Sequence, residues 1–217
     1  MKDELFKDTK KGNAKRDRLK RLIIERPNCI TFIKNKYLTD DILEECLNDN
    51  PDIFPYIKHP TTAIINMALE MDGGNLKFIN DDQRNNLPLD SIRIALESDA
   101  ERAIDYVVME QLPIEMQIDL FLKNPVLALT HNANIPESYI IKEIYRTPNI
   151  IKYVANPTEE MKCLALSLEP NVALYFSQLS DKMMDIIDEK YPQLIGKIPN
   201  YTRNICEGEN NGSTNQN

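Results

Sequence analysis

The sequence predicts an all-α fold, namely an α-solenoid of about eight short helical-hairpin repeats of 22–27 residues. Similar segments begin at eight positions spaced 22–27 residues apart along the 217-residue chain. Proline stands thirteen residues into six of these segments. The chain also has only six glycines, which disfavours hairpin-rich β-architectures because their tight turns depend on glycine. The segments begin at Ala14, Leu38, Pro60, Leu87, Leu112, Ile135, Pro157 and Leu179.

The first half of each repeat predicts a helix of about ten residues. Its second residue is often Thr, Ser or Pro, and acids follow at once in Thr39-Asp40-Asp41, as suits a helix N-terminus. Apolar residues then recur at helical spacing, so one face of each helix is expected to be buried. One buried row is predicted where the repeats share an offset, at Leu47, Leu69, Leu96, Phe121, Ile144 and Leu166.

The residue at the thirteenth offset predicts the start of a second, shorter helix. A capping residue followed by proline, as in Asn50-Pro51 and Thr147-Pro148, is typical of the first positions of a helix. The residues at this offset are Pro27, Pro51, Gly73, Ala100, Pro125, Pro148, Pro170 and Pro192. An aromatic residue follows at the eighteenth offset in five repeats, at Phe32, Tyr56, Phe78, Tyr153 and Tyr175.

Residues 38–57, with the sequence LTDDILEECLNDNPDIFPYI, resemble a short HEAT repeat, and their length and N-P pair are similar to the leucine-rich repeat variant class. The resemblance extends over residues 14–200 and concerns architecture. Those families mostly supply binding surfaces, so it implies a binding function rather than catalysis. A hairpin of this size cannot bury its own apolar face, so neighbouring repeats are expected to stack.

The two ends differ from the repeats. We expect a basic, polar lead-in over residues 1–13, the solenoid over 14–205 and a disordered polar tail over 206–217. Residues 1–26 carry ten Lys and Arg against five Asp and Glu; their net +5 leaves −13 for the rest of a chain whose net charge is −8. The densest basic run is either a solvated first helix or a contact for nucleic acid or an acidic protein. It comprises Lys10, Lys11, Lys15, Arg16, Arg18, Lys20 and Arg21.

The third repeat is irregular and supplies a second candidate binding region. Gly73-Gly74 replaces the capped proline, and the repeat is longer than the others. Insertions in solenoids often lie on the binding face, although a tolerated loop without a function explains them equally well. The candidate residues in this loop are Asp81, Asp82, Gln83 and Arg84.

No catalytic or cofactor motif stands out, so we expect neither an enzyme, a cofactor nor a metal site. Phosphate-binding glycine motifs are missing, and His59 and His131 are far apart with no cysteine partner nearby. Cys46 and Cys163 fall on apolar helix positions, which favours the core over a nucleophile. The scattered cysteines suit reduced thiols of a cytoplasmic protein, and no apolar run is long enough to span a membrane.

These features together predict a non-catalytic α-solenoid that binds another protein along a mostly acidic surface, as an adaptor or inhibitor. Abundant Asn, Ile and Lys without Trp are typical of AT-rich genomes such as those of phages or low-GC bacteria. This extends the prediction to a phage or bacterial host-interaction role in the cytoplasm, which is that of the host if the protein is viral. The alternative is a nucleic-acid-associated protein that uses the basic N-terminal segment. The identity of the partner and the oligomeric state stay open.

Overall fold

A computed structural model describes residues 10–199 and 201, with side chains from residue 12 onward. Every regular element in this part of the chain is helical and no strand occurs in it, which confirms the all-α class. None of the described helices is both long and apolar enough to cross a membrane. Residues 1–9 of the predicted lead-in and the whole predicted tail, 206–217, lie outside the described residues.

The described part of the chain contains ten α-helices, and most of them are longer than the 3-10 helices between them. The first begins at Lys10, four residues before the predicted start of the first repeat at Ala14. Six of the others are ten residues long, as the capping and apolar patterns predict. The helices are α1 Lys10–Glu25, α2 Asp40–Asp49, α3 Thr62–Met71, α4 Asp81–Arg84, α5 Leu89–Ala103, α6 Ile114–Lys123, α7 Pro125–Thr130, α8 Glu137–Arg146, α9 Glu159–Leu168 and α10 Asp181–Lys190.

A short helix begins at each of the six prolines, which confirms that prediction. Pro125 opens α7, whereas the other five open 3-10 helices. The residue before each of these five prolines has a non-helical backbone, with a φ near −140° or −150°. That break leaves only one or two turns, a length at which 3-10 geometry is common. The 3-10 helices are Pro27–Phe32, Asn35–Tyr37, Pro51–Tyr56, Gly73–Phe78, Ile104–Tyr106, Met109–Gln111, Pro148–Tyr153, Pro170–Tyr175 and Pro192–Leu194.

Side-chain caps fix several of these helix starts. The Thr61 and Thr158 hydroxyls accept hydrogen bonds from the N–H groups of Ile64 and Met161, three residues on. Asn50 accepts from the N–H of Asp52 at 3.0 Å and so caps the short helix after α2. Each cap satisfies a backbone donor that the helix itself leaves unpaired, so polar residues determine where one helix ends and the next begins.

A similar break occurs within α5, where no proline is present. α5 runs from Leu89 to Ala103, but Asp99 within it has a non-helical backbone, with φ −153° and ψ 88°, that divides it into two helical parts. Its carboxylate accepts from the N–H of Arg102 at 3.1 Å and pairs with the Arg102 side chain at 2.6 Å. Asp99 therefore caps the second part of α5, and Ala100 takes the position that proline occupies elsewhere.

The chain divides into two compact units between residues 127 and 128, so that the described residues of the first are 10–127 and those of the second are 128–199 and 201. In the first unit α1 packs on α2, α2 on α3, α3 on α5 and α5 on α6; in the second, α8 packs on α9 and α9 on α10. Five members of the predicted apolar row are buried, namely Leu47, Leu69, Phe121, Ile144 and Leu166. The prediction is wrong for Leu96, which is only half-buried, because its neighbour Ala95 takes the interior position of α5.

Gly73 replaces proline where α5 approaches most closely. A Cβ at Gly73 would overlap the carbonyl oxygen of Ala95 and lie 2.9 Å from that of Asp99. Both atoms belong to the α5 backbone, so no side-chain rotation can relieve the overlap. The short helix Gly73–Phe78 packs directly on α5 for this reason, and glycine is required for its small size rather than for a positive φ.

We expect Gly73→Ala to lower the free energy of unfolding by about 3 kcal/mol or more, because the added carbon forces two backbones apart. Pro51 begins the equivalent short helix one repeat earlier and is exposed, so Pro51→Ala is the matched control and should change stability by within about 1 kcal/mol. Urea denaturation followed by circular dichroism measures both. Equal losses in the two variants would contradict this account of the packing on α5.

Candidate interaction surfaces

Two of the predicted basic residues form ion pairs with α2. Arg16 pairs with Asp41 at 2.8 Å and with Glu45 at 2.6 Å, and Lys20 also pairs with Glu45. These contacts join the basic side of α1 to the acidic side of α2, which pack on each other. Arg16 and Lys20 therefore serve the internal contact between the first two helices.

The ion pairs shift the titration of the carboxylates. A hydrogen bond from Lys20 is the largest cause that lowers the pKa of Glu45, and Arg16 lowers it further. The pKa of Lys20 is raised by the same bond. The pKa of Asp41 is lowered first by a hydrogen bond with Thr39 and then by Arg16. Because these side chains lie at the surface, solvent screens the pairs and each adds little stability.

The remaining described members of the basic run share one exposed face of α1. Lys15, Arg18 and Arg21 are three residues apart, a spacing that keeps them on one side of a helix. None of the three forms an ion pair with another described residue. This face is the part of the predicted basic site that a partner could contact. The side chains of Lys10 and Lys11 lie outside the described residues.

The irregular loop forms α4, and two of its four predicted site residues attach it to the fold. Gln83 donates to the carbonyl oxygen of Pro60 at 3.4 Å. Arg84 donates to the carbonyl oxygen of Ile79 at 3.1 Å, pairs with Asp81 and lies 5.5 Å from the ring centre of Tyr106. Asp82 is exposed beside this network. Arg84 and Tyr106 line a groove of about 150 Å³ on this side of the first unit.

The short helices of the first unit place three aromatic side chains at an exposed edge. Pro27–Phe32 packs against Pro51–Tyr56, which packs against Gly73–Phe78. The last residue of each helix is aromatic, and Phe32 is 87% exposed, Phe78 45% and Tyr56 38%. An apolar ring left in water at such exposure, in successive helices, is typical of a binding surface. We call Phe32, Tyr56 and Phe78, with Lys34, Lys36, Lys58 and Lys77, the aromatic edge.

Lysine side chains lie against several rings. The Lys77 ammonium is 4.6 Å from the ring centre of Phe78, and that of Lys36 is 4.8 Å from the ring centre of Tyr37. At these distances the cation is attracted to the negative face of the ring. Lys58 borders a groove of about 120 Å³ that Tyr56 also lines. The edge therefore combines apolar rings with positive charge.

The second unit has the same combination on its own short helices. Pro148–Tyr153 packs against Pro170–Tyr175, and Lys152 lies 4.7 Å from the ring centre of Tyr153 and 5.8 Å from that of Tyr175. The Tyr175 hydroxyl donates to Asn149 at 3.1 Å, which links the two helices. The pKa of Lys152 is raised, first by a hydrogen bond with Tyr153.

The aromatic edge was not among the residues that the sequence suggested as a site. In the sequence the rings mark a recurring position, and their register does not indicate whether they face the core or the solvent. A signal was nevertheless present, because lysine directly precedes the aromatic residue in Lys77-Phe78 and Lys152-Tyr153. A charged residue next to the ring favours a position at the surface.

The three cysteines of the described residues, Cys29, Cys46 and Cys163, are free thiols. No group of three or more His, Cys, Asp or Glu side chains there could bind a metal ion. Burial raises the pKa of Cys46 to about 11, so its thiol is protonated and unreactive at neutral pH. Burial also raises the pKa of Cys29 and of Cys163. Comparisons with family models, curated proteins and solved structures find no match to this chain.

We expect Glu45→Gln to make the free energy of unfolding less sensitive to pH in the acidic range. The pKa of Glu45 is depressed in the folded state, so its ion pairs add stability above the unfolded carboxyl pKa of about 4.3, and that stability is lost as the pH falls through the folded value. Urea midpoints measured from pH 6 to pH 3 should fall less steeply in this variant. Glu44→Gln is the matched control, since Glu44 is an exposed neighbour without an ion pair to a described residue, and identical slopes in the two variants would refute the role of Glu45.

Proposed function

We propose that the chain is a cytoplasmic, non-catalytic α-solenoid that binds another protein through its aromatic edge, as an adaptor or inhibitor. The observation that carries this proposal is the set of exposed rings at the ends of successive short helices in the first unit. Rings on packed helices lose little conformational freedom on binding, so more of the contact energy becomes affinity. Aromatic residues are also the usual anchors of protein interfaces.

The solenoid part of the proposal is supported by sequential packing. Within each unit, a long helix contacts the long helix of the neighbouring hairpin, and the short helices Pro27–Phe32, Pro51–Tyr56 and Gly73–Phe78 contact one another in order. Helices that touch mainly their neighbours in sequence are expected of stacked repeats. The ten-residue length of six long helices, each followed by a residue with a non-helical backbone, adds to this support.

A second candidate function is binding of nucleic acid through α1. The observation that favours it is the exposed face formed by Lys15, Arg18 and Arg21. Phosphates would contact such a face without regard to sequence, and the affinity would fall steeply with salt. The net charge of −8 for the whole chain opposes the approach of a polyanion, so protein binding remains the first proposal.

Hydrogen exchange tests the stacked array. We expect Ile23→Ala, at the buried α1 position, to reduce protection in α1 and α2 and to leave α8–α10 unchanged, because each repeat depends on its neighbours. Leu69→Ala, at the same offset in α3, should reduce protection in α2, α3 and α5 and cost about 2–5 kcal/mol. A uniform loss of protection along the chain in both variants would indicate one globular core and end the solenoid proposal.

Affinity capture from cells of the source organism tests the binding function with two variants. In the ring variant the three rings are changed to serine (Phe32→Ser, Tyr56→Ser and Phe78→Ser). In the α1 variant three exposed basic residues are changed to glutamine (Lys15→Gln, Arg18→Gln and Arg21→Gln). We expect the wild type and the α1 variant to recover a partner protein whose binding persists after nuclease treatment. The ring variant should recover at least tenfold less of that protein. All six side chains are exposed, so both variants should keep the wild-type circular dichroism. Nucleic acid recovered by the wild type and lost only in the α1 variant would favour the second candidate instead.

A further inference from the structure

Positive charge is concentrated around the rings of the first unit, although α1, on the side of the long helices, is also basic. The long helix α2 carries five acidic residues and no basic one, and α1 pairs with only part of this set. The segments between the long helices, 26–39, 50–61 and 72–80, carry five Lys and Arg residues against only Asp52 and Asp72. Asp72 is already paired with Arg102 at 2.9 Å. The side that exposes the rings is thus positive in a chain that is acidic as a whole.

We propose that the aromatic edge of the first unit binds an extended acidic peptide segment of its partner. This inference rests on the proposed protein-binding function and specifies the chemistry of the partner. Carboxylates of the segment would pair with Lys36, Lys58 and Lys77, while its apolar side chains pack against the rings of Phe32, Tyr56 and Phe78. Each ring has one of these lysines within four residues of it in the sequence, namely Lys36 after Phe32, Lys58 after Tyr56 and Lys77 before Phe78.

The placement of the lysines favours carboxylates over nucleic-acid bases. Single-stranded nucleic acid is bound by stacking bases on open aromatic faces. The Lys77 ammonium lies 4.6 Å from the centre of the Phe78 ring and covers one of its faces. That face is closed to a base, but the ammonium beside it can pair with an incoming carboxylate. The second unit independently repeats this arrangement, with Lys152 against Tyr153.

The spacing of the short helices suits an extended backbone. Packed helices are about 8–10 Å apart. A polypeptide in the polyproline II conformation advances about 9 Å in three residues and returns every third side chain to the same side. An apolar residue at every third position would therefore meet one ring per short helix, and the acidic residues between them would meet the lysines. A proline at the apolar position preorganises this conformation and packs well on aromatic rings.

The test measures fluorescence anisotropy of a labelled twelve-residue peptide, (Glu-Glu-Pro)4, with the full chain at low salt. We expect saturable binding that weakens as salt is added. Lys36→Gln, Lys58→Gln and Lys77→Gln in combination should weaken it at least tenfold, as should the three serine substitutions of the rings. The α1 variant with Lys15→Gln, Arg18→Gln and Arg21→Gln removes the same number of positive charges and should change the affinity by less than twofold.

Three further probes complete the experiment. The peptides (Lys-Lys-Pro)4 and (Glu-Glu-Ser)4 should bind at least tenfold more weakly, because one lacks the carboxylates and the other lacks the apolar residue. Oligo(dT) of twelve nucleotides should show no binding that depends on the edge lysines. The inference is overturned if the variant with Lys36→Gln, Lys58→Gln and Lys77→Gln binds the acidic peptide as tightly as the wild type does. It is also overturned if the α1 variant loses affinity for this peptide, or if oligo(dT) binds the edge more tightly than the peptide does.

Failure of this inference can be distinguished from failure of the proposed function. If the ring variant loses its cellular partner but the wild type does not bind the acidic peptide, the edge binds a protein of different chemistry, and only this inference fails. If the ring variant retains its cellular partner, the proposed function fails as well. Circular dichroism and urea midpoints equal to those of the wild type show that the variants are folded in either case.

Discussion

The structure depends on the fact that a ten-residue helix followed by a short helix cannot bury its own apolar face. α2 has Ile42, Leu43, Cys46 and Leu47 on its buried side, and only helices from neighbouring hairpins can cover so much apolar surface. The non-helical residues between the long and short helices make this contact available. They turn the chain sharply, so that most of the short helices, such as Pro51–Tyr56, lie beside the long helix that precedes them. Local breaks and tertiary burial are therefore two aspects of one constraint.

The same constraint determines where the rings lie. A 3-10 helix of six residues has about two turns, and its third and fourth residues face the core, as Ile53 and Phe54 do. The sixth residue comes at the end of the helix, where the chain already leaves the interior. An aromatic residue there keeps much of its surface in water, as Phe78 and Tyr56 do. The aromatic edge is therefore a result of helix length and register.

Features with a local cause could be predicted from the sequence. The starts of the helices at Pro51 and Pro148, the ten-residue length of α2 and the burial of Leu69 follow from capping, proline geometry and apolar spacing. Features that depend on a distant partner could not. The interior position of Ala95 depends on how α5 packs, and the pairing of Arg16 and Lys20 with α2 appears only once α1 and α2 lie side by side. A run of basic residues alone does not distinguish an internal contact from an external one.

Separate positions serve folding and the proposed binding in this chain. Leu47 and Leu69 are fully buried and exchange contacts only with neighbouring helices, whereas Phe32 and Lys77 are exposed and contribute little to the core. Because Phe32, Tyr56 and Phe78 are exposed, the character of the edge can change at these positions without disturbing the packing beneath it. Tyr106, in the short helix after α5, lies instead against Arg84 of the irregular loop and lines a groove. An interface assembled from such independent positions would derive its specificity from the order of rings and charges along the edge.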